Sequence, residues 1–131
     1  LSAEEGIREA ALRRGDTLPI KLYWQADGPT NLDYTVFVHL VGPDGRPHGQ
    51  VDTLPAGGTA PTTSWAPGQV IVDEITLPVA ADAPAGAYHV AVGMYDAASG
   101  GRLPITDPSG YLFPSDQAIL PLEITIVEGN Q

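Results

Sequence analysis

The fold is decided by residues 33–41, whose sequence is DYTVFVHLV. Val, Phe, Tyr and Thr are enriched in β-strands, and this run contains neither Gly nor Pro. It leads into Pro43-Asp44-Gly45-Arg46, and an Asp-Gly pair between apolar runs is a strong hairpin signal. We therefore predict a strand at residues 33–41, a two-residue turn at Asp44-Gly45 and a return strand at residues 48–53.

Alternating apolar residues continue on both sides of this hairpin. A period of two is typical of a strand with one buried face. The strands predicted from it are residues 17–25, 69–78, 87–96 and 117–127, with a short extended piece at residues 102–106. The apolar faces of these strands are expected in the core, including Trp24, Tyr88, Val90, Val92, Ile124 and Ile126. Most of the 15 Gly and 13 Pro lie between the apolar runs and indicate turns.

The first 14 residues have two interpretations. Ser2-Ala3-Glu4-Glu5 is typical of a helix start, and the following Glu-Ala-Ala-Leu has good helix propensity. Gly6 and Gly15, however, bracket a segment of about one strand's length. Residues 1–14 are therefore expected to contain either an extended N-terminal strand at residues 7–13 or a short helix.

Many short strands separated by Gly/Pro turns favour a β-sandwich or a barrel. The length fits one domain, so we predict a single β-sandwich domain over residues 1–131. Its class is all-β, an antiparallel two-sheet immunoglobulin-like sandwich of about seven to eight strands, with the apolar faces meeting between the sheets. A closed barrel is the alternative.

Composition restricts the possible partners. The formal net charge is −10, so nucleic acid and anionic membrane surfaces would be repelled. There are no cysteines, which excludes disulfides and thiol catalysis. No run approaches the roughly 20 apolar residues of a membrane-spanning helix. We expect a monomer without membrane insertion by this segment. The chain starts at Leu1 rather than Met, which leaves room for a leader or membrane anchor before it.

A set of motifs spread over residues 15–103 is familiar from one kind of domain. The motifs are residues 34–41, Asp44-Gly45, Gln50-Val51-Asp52, Trp65-Ala66-Pro67-Gly68, Asp73, residues 84–88, residues 92–96 and Arg102-Leu103. In these the chain resembles an uncharacterised extracytoplasmic β-sandwich domain of bacterial proteins, found among others in tails of multi-spanning glycosyltransferase-like membrane proteins. The resemblance implies a location outside the cytoplasm, with other envelope proteins or glycans as partners. It implies nothing about an activity.

Residues for catalysis or metal binding are sparse. His39, His48 and His89 lack the spacing of a zinc site. Calcium prefers oxygen ligands from loops, but the loop aspartates adjoin or precede Gly or Pro, which is typical of turns; these are Asp27, Asp44, Asp82, Asp96 and Asp107. No nucleophile motif is present. Asp52 and Asp73 are a candidate carboxylate pair for glycoside hydrolysis only because both interrupt apolar strands. We predict no metal, no cofactor and no enzyme.

The predicted hairpin places several polar side chains on one face of a sheet. A two-residue turn at Asp44-Gly45 sets the cross-strand neighbours. The expected pairs are Phe37 with Asp52, His39 with Gln50, and Val41 with His48. The candidate cluster is then His39, Gln50, Asp52, Trp65 and Asp73. Tyr23 and Tyr95 fall on polar strand faces, where Ala91 and Gly93 leave room for a groove beside Tyr95.

This cluster has a structural and a functional interpretation. In the structural one, the polar row holds the loop at residues 54–66, because buried polar groups need partners. Trp65 is then buried, with Asp52 or His39 accepting its indole N–H. In the functional one, Trp65 is a platform for a sugar ring. The expected function is a non-catalytic extracytoplasmic accessory or interaction domain. The alternatives are a carbohydrate-binding module and a fragment of a glycan-processing enzyme.

Overall fold

The alternating runs of the sequence form eight strands in the computed structural model, which describes residues 9–26, 28, 30–120 and 123–127. The strands are β1 (Glu9–Leu12), β2 (Thr17–Gln25), β3 (Thr35–Val41), β4 (Pro47–Thr53), β5 (Val70–Pro78), β6 (Gly86–Tyr95), β7 (Ala118–Ile119) and β8 (Glu123–Ile126). Three short 3-10 helices lie at Pro55–Gly58, Thr62–Ser64 and Pro114–Asp116. The all-β prediction is confirmed. The predicted strand at residues 117–127 is divided into β7 and β8.

The strands form one sheet of six and one of two. In the larger sheet the order is β1-β8-β6-β3-β4, with β7 beside β6, and the smaller sheet is β2-β5. β1 confirms the extended interpretation for Glu9–Leu12, while residues 1–8 lie outside the described part. The wholly antiparallel expectation is wrong for one pair, since β1 runs parallel to β8. This is possible because the chain leaves β1 for the other sheet, so no hairpin joins the two strands.

The predicted apolar faces are buried, and both sheets contribute to one core cluster. Trp24, Val90 and Val92 are completely buried, and Tyr88, Ile124 and Ile126 are at most 4% exposed. Alternation puts every second side chain of a strand on the same face. The exterior of each sheet therefore carries the polar residues between these positions. The candidate groups of β3, β4 and β6 lie on that exterior.

The hairpin between β3 and β4 differs from the predicted two-residue turn. Gly45 N–H donates to the Gly42 carbonyl over 3.0 Å, and Gly42 N–H donates to the Arg46 carbonyl over 2.9 Å. With Gly45 at φ 78°, this is a three-residue loop that ends on a left-handed glycine. Val41 consequently pairs with Pro47, so the predicted pairing with His48 is wrong.

An irregularity in the pairing between His39 and Val41 cancels the one-residue shift in strand register that the three-residue loop introduces. His39 faces Gln50, and Phe37 faces Asp52, so both of these predicted pairs are confirmed. The extra residue of β4 lies at His48-Gly49, where a bulge inserts one residue into a strand. A Cβ atom on Gly49 would lie 2.1 Å from the Pro78 carbonyl oxygen. The bulge therefore needs glycine, and it holds the polar row on the outer face.

Candidate functional site

The structure divides the predicted cluster between two places. His39, Gln50 and Asp52 line a recess on the outer face of the larger sheet. Asp73 on β5 and Trp65 in the loop that precedes β5 are buried, at 1% and 4% exposure. The division follows from strand alternation, because Asp52 occupies an outward position of β4 and Asp73 an inward position of β5. The two groups are therefore described separately.

Asp73 is a buried carboxylate that connects a strand to a loop. It accepts a hydrogen bond from the indole N–H of Trp24 over 3.3 Å and one from the backbone N–H of Ala56 over 3.1 Å. Burial raises the pKa of Asp73, and the two hydrogen bonds partly oppose that rise, since burial disfavours a charged group and donors favour it. Ala56 has a left-handed φ of 52°, so this bond holds an unusual backbone conformation.

Trp65 anchors the loop at residues 54–66, as predicted. It is buried, and its indole N–H donates to the Ala60 carbonyl over 2.8 Å. The prediction that Asp52 or His39 accepts this hydrogen bond is wrong, because both residues lie on the outer face of the larger sheet. Trp65 instead closes the loop on itself. A buried Trp usually finds a partner for its N–H, and a nearby backbone carbonyl serves as well as a side chain.

Thr62 supplies the second attachment of this loop. Its hydroxyl donates to the Leu32 carbonyl over 2.7 Å and accepts from the backbone N–H of Tyr34 over 3.0 Å. The Thr62 carbonyl also accepts from the Thr30 hydroxyl over 2.9 Å. Thr62 is completely buried, yet it lies in a Pro-Thr-Thr-Ser run with no periodic signal. The expectation that His39, Gln50 and Asp52 hold the loop is wrong, since Thr62 and Asp73 do so.

The outer recess is built around the carboxylate of Asp52. One carboxylate oxygen accepts from the side-chain amide of Gln50 over 2.7 Å, and the other accepts from the Tyr95 hydroxyl over 2.8 Å. Tyr95 belongs to β6, and its side chain reaches across β3 to β4. The bond to Asp52 raises the pKa of the Tyr95 hydroxyl. Two strands that are not neighbours, β4 and β6, thus contribute to one network of hydrogen bonds on the surface.

Phe37 and Arg102 form the floor and one wall of the recess. A Cβ atom on Gly93 would lie 2.5 Å from the Phe37 ring, so the ring fills the space that was expected to be open beside Tyr95. The Arg102 guanidinium lies 4.4 Å from the centroid of Phe37. It also donates to the Ser115 carbonyl and to the Gln117 side chain, both at 3.3 Å. This stacked and hydrogen-bonded Arg102 is held in one place.

His39 lies beside Phe37, with ring centroids 5.1 Å apart. Partial burial lowers the pKa of His39, Asp52 opposes that change, and Arg102 adds to it. The neutral imidazole is therefore favoured near neutral pH. The recess has a volume of about 250 Å³, and its lining residues are Phe37, His39, Gln50, Asp52, Tyr95, Gly100 and Arg102. It is a shallow polar site with an aromatic floor.

Tyr23 does not share a groove with Tyr95. It lies on the outward face of the smaller sheet, beside a cavity of about 570 Å³ whose other lining residues are Pro19, Ile20, Lys21, Glu74, Ile75 and Thr76. Lys21 and Glu74 are 4.0 Å apart and largely exposed, so their attraction is weak. Among the described residues, no side-chain hydrogen bond fixes the lining of this cavity, which makes it the less defined of the two sites.

The loop aspartates serve as turn residues where the structure describes them. Asp44 accepts from the Arg46 N–H at 3.0 Å, and Asp107 accepts from the N–H groups of Ser109 and Tyr111, both at 2.9 Å. The bonds from Arg46 and His48 lower the pKa of Asp44, and those from the Ser109 hydroxyl and the Tyr111 N–H lower the pKa of Asp107. Within the described residues, no three His, Cys, Asp or Glu side chains converge as metal ligands. Asp27 lies outside the described residues.

Comparison with known proteins adds no further assignment. The chain matches no model of a known protein family, and no curated protein matches it. In the part of the chain that the structure describes, no helix is long and apolar enough to cross a membrane. The two sites are therefore interpreted from their own geometry.

Proposed function

We propose that the chain is a non-catalytic accessory or interaction domain that acts outside the cytoplasm of a bacterium and contacts envelope proteins or glycans. The observation that carries the non-catalytic part is the separation of Asp52 from Asp73. Glycoside hydrolysis needs two carboxyl groups on either side of one bond. Asp52 lines an open recess, whereas Asp73 is buried and bonded to Trp24 and Ala56. This pair cannot serve one substrate.

The strand order supports an immunoglobulin-like sandwich as the finer fold. In that fold the strands G, F, C and C′ are neighbours in one sheet, and B and E are neighbours in the other. The corresponding orders here are β8-β6-β3-β4 and β2-β5. Both sheets also contribute to one core, as the two layers of a sandwich do. Domains of this kind serve many unrelated functions, so the fold itself is compatible with an accessory role.

Tyr88 supports the same fold. It lies near the start of β6, is 4% exposed, and donates its hydroxyl to the Pro84 carbonyl over 2.6 Å. Immunoglobulin-like domains have a tyrosine at the start of strand F that bonds to the backbone a few residues upstream. Burial raises the pKa of this hydroxyl. An experimental structure tests the proposal, and a chain that closes into a barrel would contradict it.

The location rests on the resemblance of residues 15–103 to an extracytoplasmic domain. The test uses the full-length protein with an epitope tag in the exposed loop at residues 107–111. Protease added to intact spheroplasts should remove the tag, whereas a cytoplasmic control protein should survive until the cells are lysed. Protection of both proteins until lysis would contradict an extracytoplasmic location.

The absence of catalysis is tested separately with chromogenic aryl glycosides of glucose, galactose and N-acetylglucosamine. We expect no turnover by the domain. Turnover that disappears in Asp52→Ala and persists in Asp73→Asn would overturn the non-catalytic proposal. It would favour the remaining alternative, a fragment of a glycan-processing enzyme.

Carbohydrate binding is a second candidate function, favoured by the fixed hydrogen-bonding groups in the recess. Sugar sites combine an apolar surface with a few positioned polar groups. The half-buried Tyr95 ring and the Asp52 carboxylate supply such groups in one place. The interpretation with Trp65 as the sugar platform is not retained, because Trp65 is buried. Affinity electrophoresis through gels that contain polysaccharides tests this candidate, and unchanged migration on every polysaccharide would argue against it.

A further inference from the structure

We infer that the outer recess binds a single neutral sugar ring, two of whose neighbouring hydroxyl groups donate to the carboxylate of Asp52. This inference rests on the carbohydrate-binding candidate above and specifies its site, ligand size and ligand charge. It follows from the hydrogen-bonding capacity, the dimensions and the charge of the recess.

Asp52 has acceptor capacity left after its internal bonds. An ionised carboxylate offers about four lone-pair sites. Gln50 and Tyr95 use one on each oxygen, at 2.7 Å and 2.8 Å. With one donor on each oxygen, the two bonds hold the carboxylate in place and leave about two lone-pair sites for further donors. Two hydroxyls on adjacent carbons can then donate to the two oxygens. Hydrogen bonds to a charged acceptor are the stronger kind.

A sugar hydroxyl both donates and accepts hydrogen bonds, and the groups around Asp52 offer partners for both. The Tyr95 hydroxyl donates its one proton to Asp52, so its lone pairs can accept a hydrogen bond from a ligand hydroxyl. Arg102 carries five N–H donors in a planar fork, and its stacking 4.4 Å from the centroid of Phe37 sets the direction of that plane. A ligand with several hydroxyls can therefore satisfy donors and acceptors at once, while a purely apolar ligand would leave them unpaired.

The size of the recess favours one ring. Sites for drug-sized ligands have volumes of about 300–1,000 Å³, and the recess, at about 250 Å³, is smaller than that range. It is also not a flat aromatic platform, because Phe37 is 2% exposed and covered by Arg102. A long polysaccharide could reach it through an end or a side branch, but not by lying along a row of stacked aromatic rings.

Charge favours a neutral ligand. Asp52 and Arg102 contribute opposite charges to the lining, and His39 is favoured in its neutral form. The chain as a whole has a formal net charge of −10, which repels acidic polysaccharides. A uronic acid would gain a contact with Arg102 but would bring its carboxylate close to Asp52. A neutral hexose avoids this repulsion.

The inference is tested by NMR titration of the ¹⁵N-labelled domain with methyl glycosides of mannose, glucose and galactose, and with glucuronic acid. At least one neutral glycoside should produce saturable shifts in the Gln50 side-chain amide and in the backbone of residues 50–52 and 93–95. Glucuronic acid should bind more weakly. Shifts confined to the β2-β5 face, or stronger binding of the acid, would overturn the inference.

Variants test the roles of the individual side chains. Asp52→Asn should weaken binding about tenfold or more, the equivalent of losing a hydrogen bond to a charged group. Tyr95→Phe should weaken it less, because Tyr95 positions the carboxylate. Glu74→Gln is the matched control, since it also removes one negative charge but lies on the other sheet. Equal weakening by Asp52→Asn and Glu74→Gln would show an effect of net charge and contradict the assignment.

Two results separate this inference from the candidate on which it rests. If polysaccharide gels retard the domain while no monosaccharide shifts the recess residues, carbohydrate binding stands and the single-ring site is wrong. If neither is observed, both are wrong. Lost binding in Asp52→Asn and Tyr95→Phe is interpreted only if both variants melt close to the temperature of the unmodified domain. We expect this result for Asp52→Asn because Asp52 is exposed.

Discussion

Asp73 and Asp52 show how burial changes the role of one kind of side chain. Each accepts two hydrogen bonds, Asp73 from Trp24 and Ala56 and Asp52 from Gln50 and Tyr95. Asp73 is 1% exposed, so its partners are fixed parts of the core and a loop. Asp52 is exposed, and its remaining lone pairs can meet a ligand. The comparison teaches that the face an aspartate occupies in its strand decides whether it holds the fold together or faces outward.

The largest expected effect concerns the interior region. Trp65→Ala should lower the free energy of unfolding by about 3–5 kcal/mol, the usual range for removing a large buried aromatic side chain. The loop at residues 54–66 should also become sensitive to proteolysis, because the indole closes it onto Ala60. Chemical denaturation measures the first effect and limited proteolysis the second. Tyr111→Ala is the control, since Tyr111 is 56% exposed, and an equal loss there would contradict the distinction.

The two aspartates can be compared directly by the same substitution. Asp73→Ala should cost about 2–3 kcal/mol, because the buried indole N–H of Trp24 and the half-buried N–H of Ala56 lose their acceptor. Asp52→Ala should change stability by no more than about 0.5 kcal/mol, as surface substitutions usually do. Denaturant midpoints of the two variants, measured in one buffer, check this. Equal losses would show that the outer network also stabilises the fold.

Gly49→Ala tests the bulge that sets the polar row. An added methyl group would collide with the Pro78 carbonyl, so we expect a loss of about 1–3 kcal/mol, typical of overpacking. The NMR signals of Gln50 and Asp52 should shift with it. Gly28→Ala is the control, because a Cβ atom there meets nothing within 4 Å. An unchanged hairpin in Gly49→Ala would show that the close approach to Pro78 is not required.

The smallest effect is a pH dependence that differs in sign between two carboxyls. Burial raises the pKa of Asp73, so its native state binds a proton more tightly than the unfolded state. The contribution of Asp73 to the free energy of unfolding is fully present below its ordinary pKa of 3.8. It is lost as the pH rises through the pKa of Asp73 in the native state. The stability of the unmodified domain relative to Asp73→Asn should therefore fall as pH rises from about 4.

Asp44 provides the opposite case on the surface. Hydrogen bonds from Arg46 and His48 lower its pKa, so its contribution is present above the ordinary value and is lost as pH falls. Denaturation of the unmodified domain, Asp73→Asn and Asp44→Asn across a pH series compares the two. The same slope for both variants would contradict the assigned environments.

Much of the fold could be predicted because alternation is a local property. The burial of Trp24, Tyr88 and Val92 follows from their own strands, as does the hairpin after Val41. The contact between Asp52 and Tyr95 could not be predicted in this way, since it joins strands separated by a third strand. Thr62 gave no periodic signal at all, because its role depends on a carbonyl and an N–H group that lie 30 and 28 positions away, respectively.

The sequence by itself determined which face of most strands is apolar, that a hairpin follows residue 41, and that Trp65 is buried. The apolar faces and the burial of Trp65 depend on the hydrophobic effect acting on neighbouring residues. The hairpin depends on the conformational preference of Asp44-Gly45 for a turn. Only the tertiary structure decided that β1 runs parallel to β8, that a bulge preserves the pairing of His39 with Gln50, and that Asp52 and Asp73 lie apart. The physical reason is that sheet partners and register depend on contacts between distant segments, which no local pattern contains.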